Sequence, residues 1–370
     1  MTAAPVPEQH VPEQHVPEQH VPEHPVPERH LVRTDGPPAR SGRRIALAVF
    51  AGSVAAAFTL SACSSPATPA AGGGGGGSAG SSAAGPGGAS PSTGSTAIPA
   101  QDVVSGVQED AKLHAELPAS VRSSGTLILG TTIQPGTSGL PHAGQVDGKD
   151  VGLDVDLRNA VAKVLGISWN VQNGTFATII PGVQNGKFQV GQDNFGATRE
   201  REQVVDFATY LNDGQGFLGS STVSASSISK ITDACGYTIG TSPGSTFQTL
   251  LTSNAPKCAA AGKKPWTVQY FSDNAPIFLG LANGKLDLYF GPTLSLKYDA
   301  AHHVAGSKFL GQISSTAVGF VTAKGSPIAK ALIDAVNELI ANGDYAKIFD
   351  KWSVPGTGIT KSTLNPAPTF

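Results

Sequence analysis

The chain has 370 residues, a formal net charge of −2 and only 14% charged residues. So even a balance excludes the basic patches that grip nucleic acid or an anionic membrane surface. The length exceeds what one compact domain needs and predicts two, besides tails.

Residues 1–39 carry a five-residue repeat, Val-Pro-Glu-Gln-His. Proline at every fifth position removes helix donors and little apolar surface is present, so the segment reads as a disordered tail whose histidines have no fixed geometry for a metal. Residues 40–62 have the order of an export signal: Arg40, Arg43 and Arg44, an apolar run at 45–58, then Leu60-Ser61-Ala62. The run is short of the roughly 20 apolar residues of a membrane span. Cys63 directly after Leu-Ser-Ala looks like a bacterial lipobox, which implies that Cys63 is acylated and tethers an extracytoplasmic protein to the membrane, each buried methylene contributing about 0.8 kcal/mol. A signal beginning this late also fits a true translation start near Val32. Residues 63–116 follow as anchor and linker, mostly Ser, Ala, Pro, Thr and Gly up to about Ala100, with six glycines at 72–77, a composition that stays flexible.

Beyond the linker, Thr126 to Ile133 reads as a strand, and Leu157, Val161, Val164 and Leu165 form a helical stripe ended by Gly166. Strand and helix alternate again at 169–171, 179–184 and 188–192, the pattern of a parallel, doubly wound sheet. A second α/β set begins after Gly214: strands at 237–241 and 267–271, a helix at 247–251 that Ser245-Thr246 can cap, and a strand at 286–290. The end is helical, with Ile328, Leu332, Val336, Leu339 and Ile340 on one stripe and Tyr345, Ile348, Phe349 and Trp352 on another. Cys235 and Cys258 in an exported chain predict a disulfide. No metal-ligand spacing is present, adjacent His302 and His303 read as surface residues, and neither metal nor cofactor is expected.

The segments GKDVGLDVDLRNAVAKVLG (148–166), FATIIPGVQNGKF (176–188), TRER (198–201), VVDFATYL (204–211) and NELIANGDYAKIFDKW (337–352) resemble the family 3 extracellular solute-binding proteins, which serve ABC importers, mostly for amino acids. The likeness runs over about 117–354. It implies a two-lobed, type II periplasmic-binding-protein-like α/β fold: lobe 1 at 117–214 plus 318–360, lobe 2 at 215–317, two hinge strands between them, and a tail at 361–370. The implied protein is a monomer that holds a small carboxylate-bearing ligand between its lobes and presents it to a permease.

By that resemblance Thr198 and Arg201 match the T-x-x-R motif whose arginine holds the ligand carboxylate, a pairing that suits the two parallel donors of a guanidinium. Arg201 also stands in the first turn of a predicted helix, the wrong end for a cation unless an anion is near. Phe176 falls where an aromatic stacks on the ligand, and Gly244-Ser245-Thr246 matches the turn that donates to the carboxylate from lobe 2. Where amino-acid binders carry an aspartate for the ligand ammonium, this chain has Pro292. The lobe 1 segment reads Asp193-Asn194-Phe195-Gly196, so Asp193, with Asn194 and Gly196 beside it, either takes over the ammonium or pairs with Arg201 around a ligand that is not an amino acid. A sensor lipoprotein is a further alternative. So is a cyclohexadienyl-dehydratase-like enzyme using Asp193 as acid or base, although nothing in the sequence demands chemistry.

Overall fold

The computed structural model describes residues 98–370. The repeat tail, the export signal, Cys63 and most of the linker lie outside these residues.

In chain order, α1 (Ala111–Glu116) and α2 (Ala119–Ser124) lead into β1 (Thr126–Thr131), followed by β2 (Gln134–Pro135), β3 (Gly144–Val146) and β4 (Lys149–Val151). Next come α3 (Leu153–Val164), β5 (Ser168–Asn173), α4 (Phe176–Gln184), β6 (Val190–Gly191), the single turn α5 (Arg199–Glu202) and the long strand β7 (Val205–Gly219). The second set comprises β8 (Thr238–Thr241), α6 (Thr246–Asn254), α7 (Pro256–Ala260), β9 (Thr267–Tyr270), α8 (Asn274–Ala282), β10 (Leu288–Pro292) and α9 (Thr293–Ala301). The long strand β11 (Lys308–Ala323) returns to α10 (Pro327–Asn342) and α11 (Asp344–Lys351).

One eight-stranded sheet takes the order β5-β1-β6-β11-β7-β10-β8-β9, and β2-β3-β4 form a small separate sheet. Pairing is parallel among β5, β1 and β6 and among β10, β8 and β9. It is antiparallel wherever β7 or β11 takes part. The alternation of elements predicts a wholly parallel sheet; the sheet is mixed because β7 and β11 run through both lobes in opposite directions, as the two crossing strands of a two-lobed fold must. Leu127, Leu129, Val161, Leu332, Val336 and Phe349 are buried in one core, while Phe217, Ile239, Leu251, Leu288 and Phe290 are buried in another.

The strand expected at 188–192 shrinks to the two residues of β6. Phe188, two residues before β6, has a ring that fills space left by missing side chains: a Cβ on Gly130 of β1 or Gly182 of α4 would meet that ring at 2.4 Å. The α10 stripe falls as expected, with Ile328, Leu332, Val336 and Leu339 buried and Ile340 half-buried. Cys235 and Cys258 are bonded. The last ten residues are docked on β7: the Ser362 hydroxyl donates to the Thr209 carbonyl at 2.6 Å and the Phe207 amide donates to Asn365 Oδ1 at 2.8 Å.

Candidate functional site

The crossing of β7 and β11 places a cavity between the lobes. Lobe 1 lines it with Thr131, Thr132, His142, Asp154, Phe176, Asp193 and Asn194, and the facing lobe with Ser242, Ser245, Thr246, Asn274, Tyr289 and Pro292. Pro292, the last residue of β10, brings no charge to this wall.

The polar floor is organised by Asp213, on β7 where it crosses. Its Oδ1 accepts the amides of Gly214 at 2.6 Å and Leu294 at 3.1 Å, and its Oδ2 accepts the Asn194 side-chain amide at 3.1 Å and faces His142 Nε2 at 3.0 Å. This carboxylate is fully used. His142, in the loop between β2 and β3, spans from Asp213 to Asp154, whose Oδ2 lies 3.4 Å from Nδ1. Burial alone would lower the histidine's pKa; the Asp154 and Asp213 carboxylates outweigh it and hold the ring as an imidazolium, with a pKa of about 10.

Asp154, the second residue of α3, is only 3% exposed. The acidic first turn suits the helix dipole, yet Asp154 Oδ1 has no hydrogen-bond partner. Asp193 follows β6 and also lines the cavity with an unpartnered oxygen, Oδ2. Burial, reinforced by the charge of Asp154, pushes its carboxyl up to about 7. Buried acceptors normally have donors, so two orphaned carboxylate oxygens on one cavity wall are an unmet demand for N–H groups.

Arg201 stands just behind this wall, at the third position of α5, where the Thr198 hydroxyl caps the turn by accepting its amide at 3.2 Å. With only four residues α5 has little dipole, so the expected conflict between helix start and cation is weak. The side chain is instead a clasp. Its Nη1 donates to the Gly196 carbonyl of lobe 1 at 2.9 Å and its Nη2 to the Gly244 carbonyl of lobe 2 at 3.0 Å, using two of its five N–H donors. The guanidinium lies over the rings of Phe176 and Phe195, 5.6 and 5.8 Å from their centroids. Burial lowers its pKa to about 10, so it remains a cation at neutral pH. No carboxylate lies within salt-bridge distance of Arg201 among the described residues, and Asp206, five residues on, pairs with Lys324 at 2.8 Å. Arg201 and Thr198 line the groove adjoining the cavity, and Phe176 and Thr246 line both.

In the other lobe Ser245 caps α6: it accepts the Gln248 amide at 3.2 Å and donates to the Ser242 carbonyl at 2.6 Å. Its hydroxyl proton is therefore committed to the cap, while Thr246, at the first helical position, stands on the cavity wall. Gly196 is a close approach of the lobes, because a Cβ there would lie 2.9 Å from Thr316 and 3.7 Å from the Thr246 methyl.

Residues 138–355 match the bacterial extracellular solute-binding proteins, family 3. The chain belongs to that family. Among relatives, the arginine-binding protein of Corynebacterium glutamicum is 26% identical over 227 residues, 60% of this chain and 73% of its own length. Among solved structures, an ancestral arginine-binding protein bound to arginine aligns with a TM-score of 0.55 at 29% identity, over 62% of this chain and 98% of its own. An ancestral amino acid-binding protein described as a precursor of cyclohexadienyl dehydratase aligns with a TM-score of 0.55 at 25% identity, over 63% and 97%.

Of the residues that the family 3 resemblance singles out, the cavity gathers Phe176, Asp193, Asn194, Ser245 and Thr246. Gly196, Thr198 and Arg201 stand one layer behind, joined by the hydrogen bonds above. His142 and Asp154 escape a reading of the sequence. Asp154 left a trace, a carboxylate between buried Leu153 and Val155, whereas His142 sits in an irregular loop where no periodicity marks it.

Proposed function

We propose that this protein is a lipid-anchored, extracytoplasmic solute-binding protein that captures an amino acid between its lobes and delivers it to an ABC importer. Hinging would occur where the crossing strands pass between 117–214 plus 318–360 and 215–317, and the chain would act as a monomer tethered through Cys63. Closure around the ligand would be the signal for the permease. Relatives that bind arginine support the ligand class.

The observation that carries this reading is the polarity of the cavity. Its floor presents Asp193 with an unpartnered Oδ2, while the opposite wall presents Thr246 and the start of α6, with the Arg201 guanidinium adjoining. A zwitterion fits this arrangement with its ammonium on Asp193 and its carboxylate toward Thr246 and Arg201, helped by the free amides of a nine-residue helix. Asp193 thus supplies from lobe 1 the charge that Pro292 withholds from lobe 2. Asp193 would equally be the acid or base of a dehydratase, a reading favoured only by its raised pKa and the cyclohexadienyl dehydratase precursor.

Calorimetry of the full chain against arginine, glutamine and their des-amino acids tests the proposal. Amino acids are expected to bind at one site per chain, and loss of the α-amine or the Asp193→Ala substitution is expected to abolish binding. Equal binding of the des-amino acids would remove the amino-acid reading, and turnover of prephenate or arogenate would replace binding with catalysis.

A further inference from the structure

The cavity floor carries more negative charge than a zwitterion balances. Asp154 and Asp193 line it and Asp213 stands behind His142 and Asn194, and the cations near them are His142, shared between Asp154 and Asp213, and Arg201 behind the wall. Arg158 lies close to Asp154 but is matched by Asp150 at 3.1 Å. Three carboxylates facing one imidazolium and one guanidinium leave one negative charge, and an amino acid with a neutral side chain leaves it uncompensated. Asp154 is answered on one side only, by His142 at its Oδ2. It is 97% removed from solvent by its 3% exposure, its Oδ1 has no donor, and it lines the cavity. A buried carboxylate oxygen without a donor is costly.

Resting on the amino-acid reading above, we infer that Asp154, held in place by His142, is a second ligand-binding carboxylate, and that the cavity selects amino acids whose side chain is itself a cation. The α-ammonium meets Asp193 and the side-chain ammonium or guanidinium meets Asp154. His142 acts as a positioning residue, since its bond to Asp213 fixes the ring that holds Asp154 Oδ2 and leaves Oδ1 without a partner. A guanidinium suits the floor well because its several donors can also reach Asn194 Oδ1, another buried acceptor without a partner.

The test compares arginine with citrulline, its neutral isostere, by calorimetry on the full wild-type chain and on Asp154→Asn. Arginine is expected to bind the wild type roughly ten- to hundredfold more tightly than citrulline, the worth of one charged hydrogen-bonded pair. Asp154→Asn is expected to remove that preference, bringing the ratio of arginine to citrulline affinity close to one. Equal wild-type affinities for the two ligands would overturn the inference and leave the amino-acid reading standing. An Asp154→Asn variant that weakens both ligands alike would reduce Asp154 to a structural part. Failure of arginine, citrulline and glutamine alike to bind the wild type would overturn both readings. The wild-type comparison needs no variant to fold.

Discussion

Arg201→Ala is expected to weaken ligand binding by about 2–5 kcal/mol, because it leaves the ligand carboxylate without its cation in a closed cleft. Two effects combine in that loss. The guanidinium has donors left after bonding the Gly196 and Gly244 carbonyls, and these are the ones available to a carboxylate. The same two bonds join the lobes, so removing them also loosens the closed form. Calorimetry on the variant measures the total, and Arg201→Lys separates the parts: a lysine keeps the charge but cannot reproduce the planar fork that reaches both carbonyls. An Arg201→Ala variant with unchanged affinity would confine Arg201 to joining the lobes.

His142→Ala is expected to lower the unfolding free energy by about 3–5 kcal/mol, since it strands Asp154 and Asp213 as buried carboxylates without their shared cation. The sign of the pH dependence follows from the raised pKa. An imidazole that titrates near 6.5 when unfolded and near 10 in the fold adds stability that is complete below 6.5 and disappears as pH rises through 10. Urea unfolding of wild type and variant near pH 6 and near pH 10 should therefore show a gap that narrows at the higher pH. A gap of the same size at both would mean that the ring contributes packing and not charge.

The strands and helices of both lobes were legible because each buries one side against a core. The 3.6-residue stripe of α10 and the apolar run of β1 announce themselves in composition alone. The mixed sheet was not legible in the same way, since direction is decided by where a strand goes next, and β7 and β11 owe theirs to crossing between lobes. Phe188 shows the same limit on a smaller scale: its side chain belongs to a hole left by Gly130 and Gly182, and only the fold brings those two glycines together. In the site, Arg201, Asp193 and Thr246 were reachable through motif likeness. His142 was not, because its meaning comes from two carboxylates distant in sequence, Asp154 in the first turn of α3 and Asp213 on β7. Asp154 stood inside a quoted motif, but a carboxylate at a helix start has an ordinary explanation as a partner for the dipole. Its burial and its idle oxygen are three-dimensional facts.

The most direct measurement is a crystal structure of the full chain grown with arginine. One arginine is expected between the lobes, its carboxylate within hydrogen-bonding distance of Arg201 and Thr246, its α-ammonium on Asp193 and its guanidinium on Asp154. An arginine bound with its carboxylate away from Arg201, or with neither cation on Asp193 or Asp154, would contradict it.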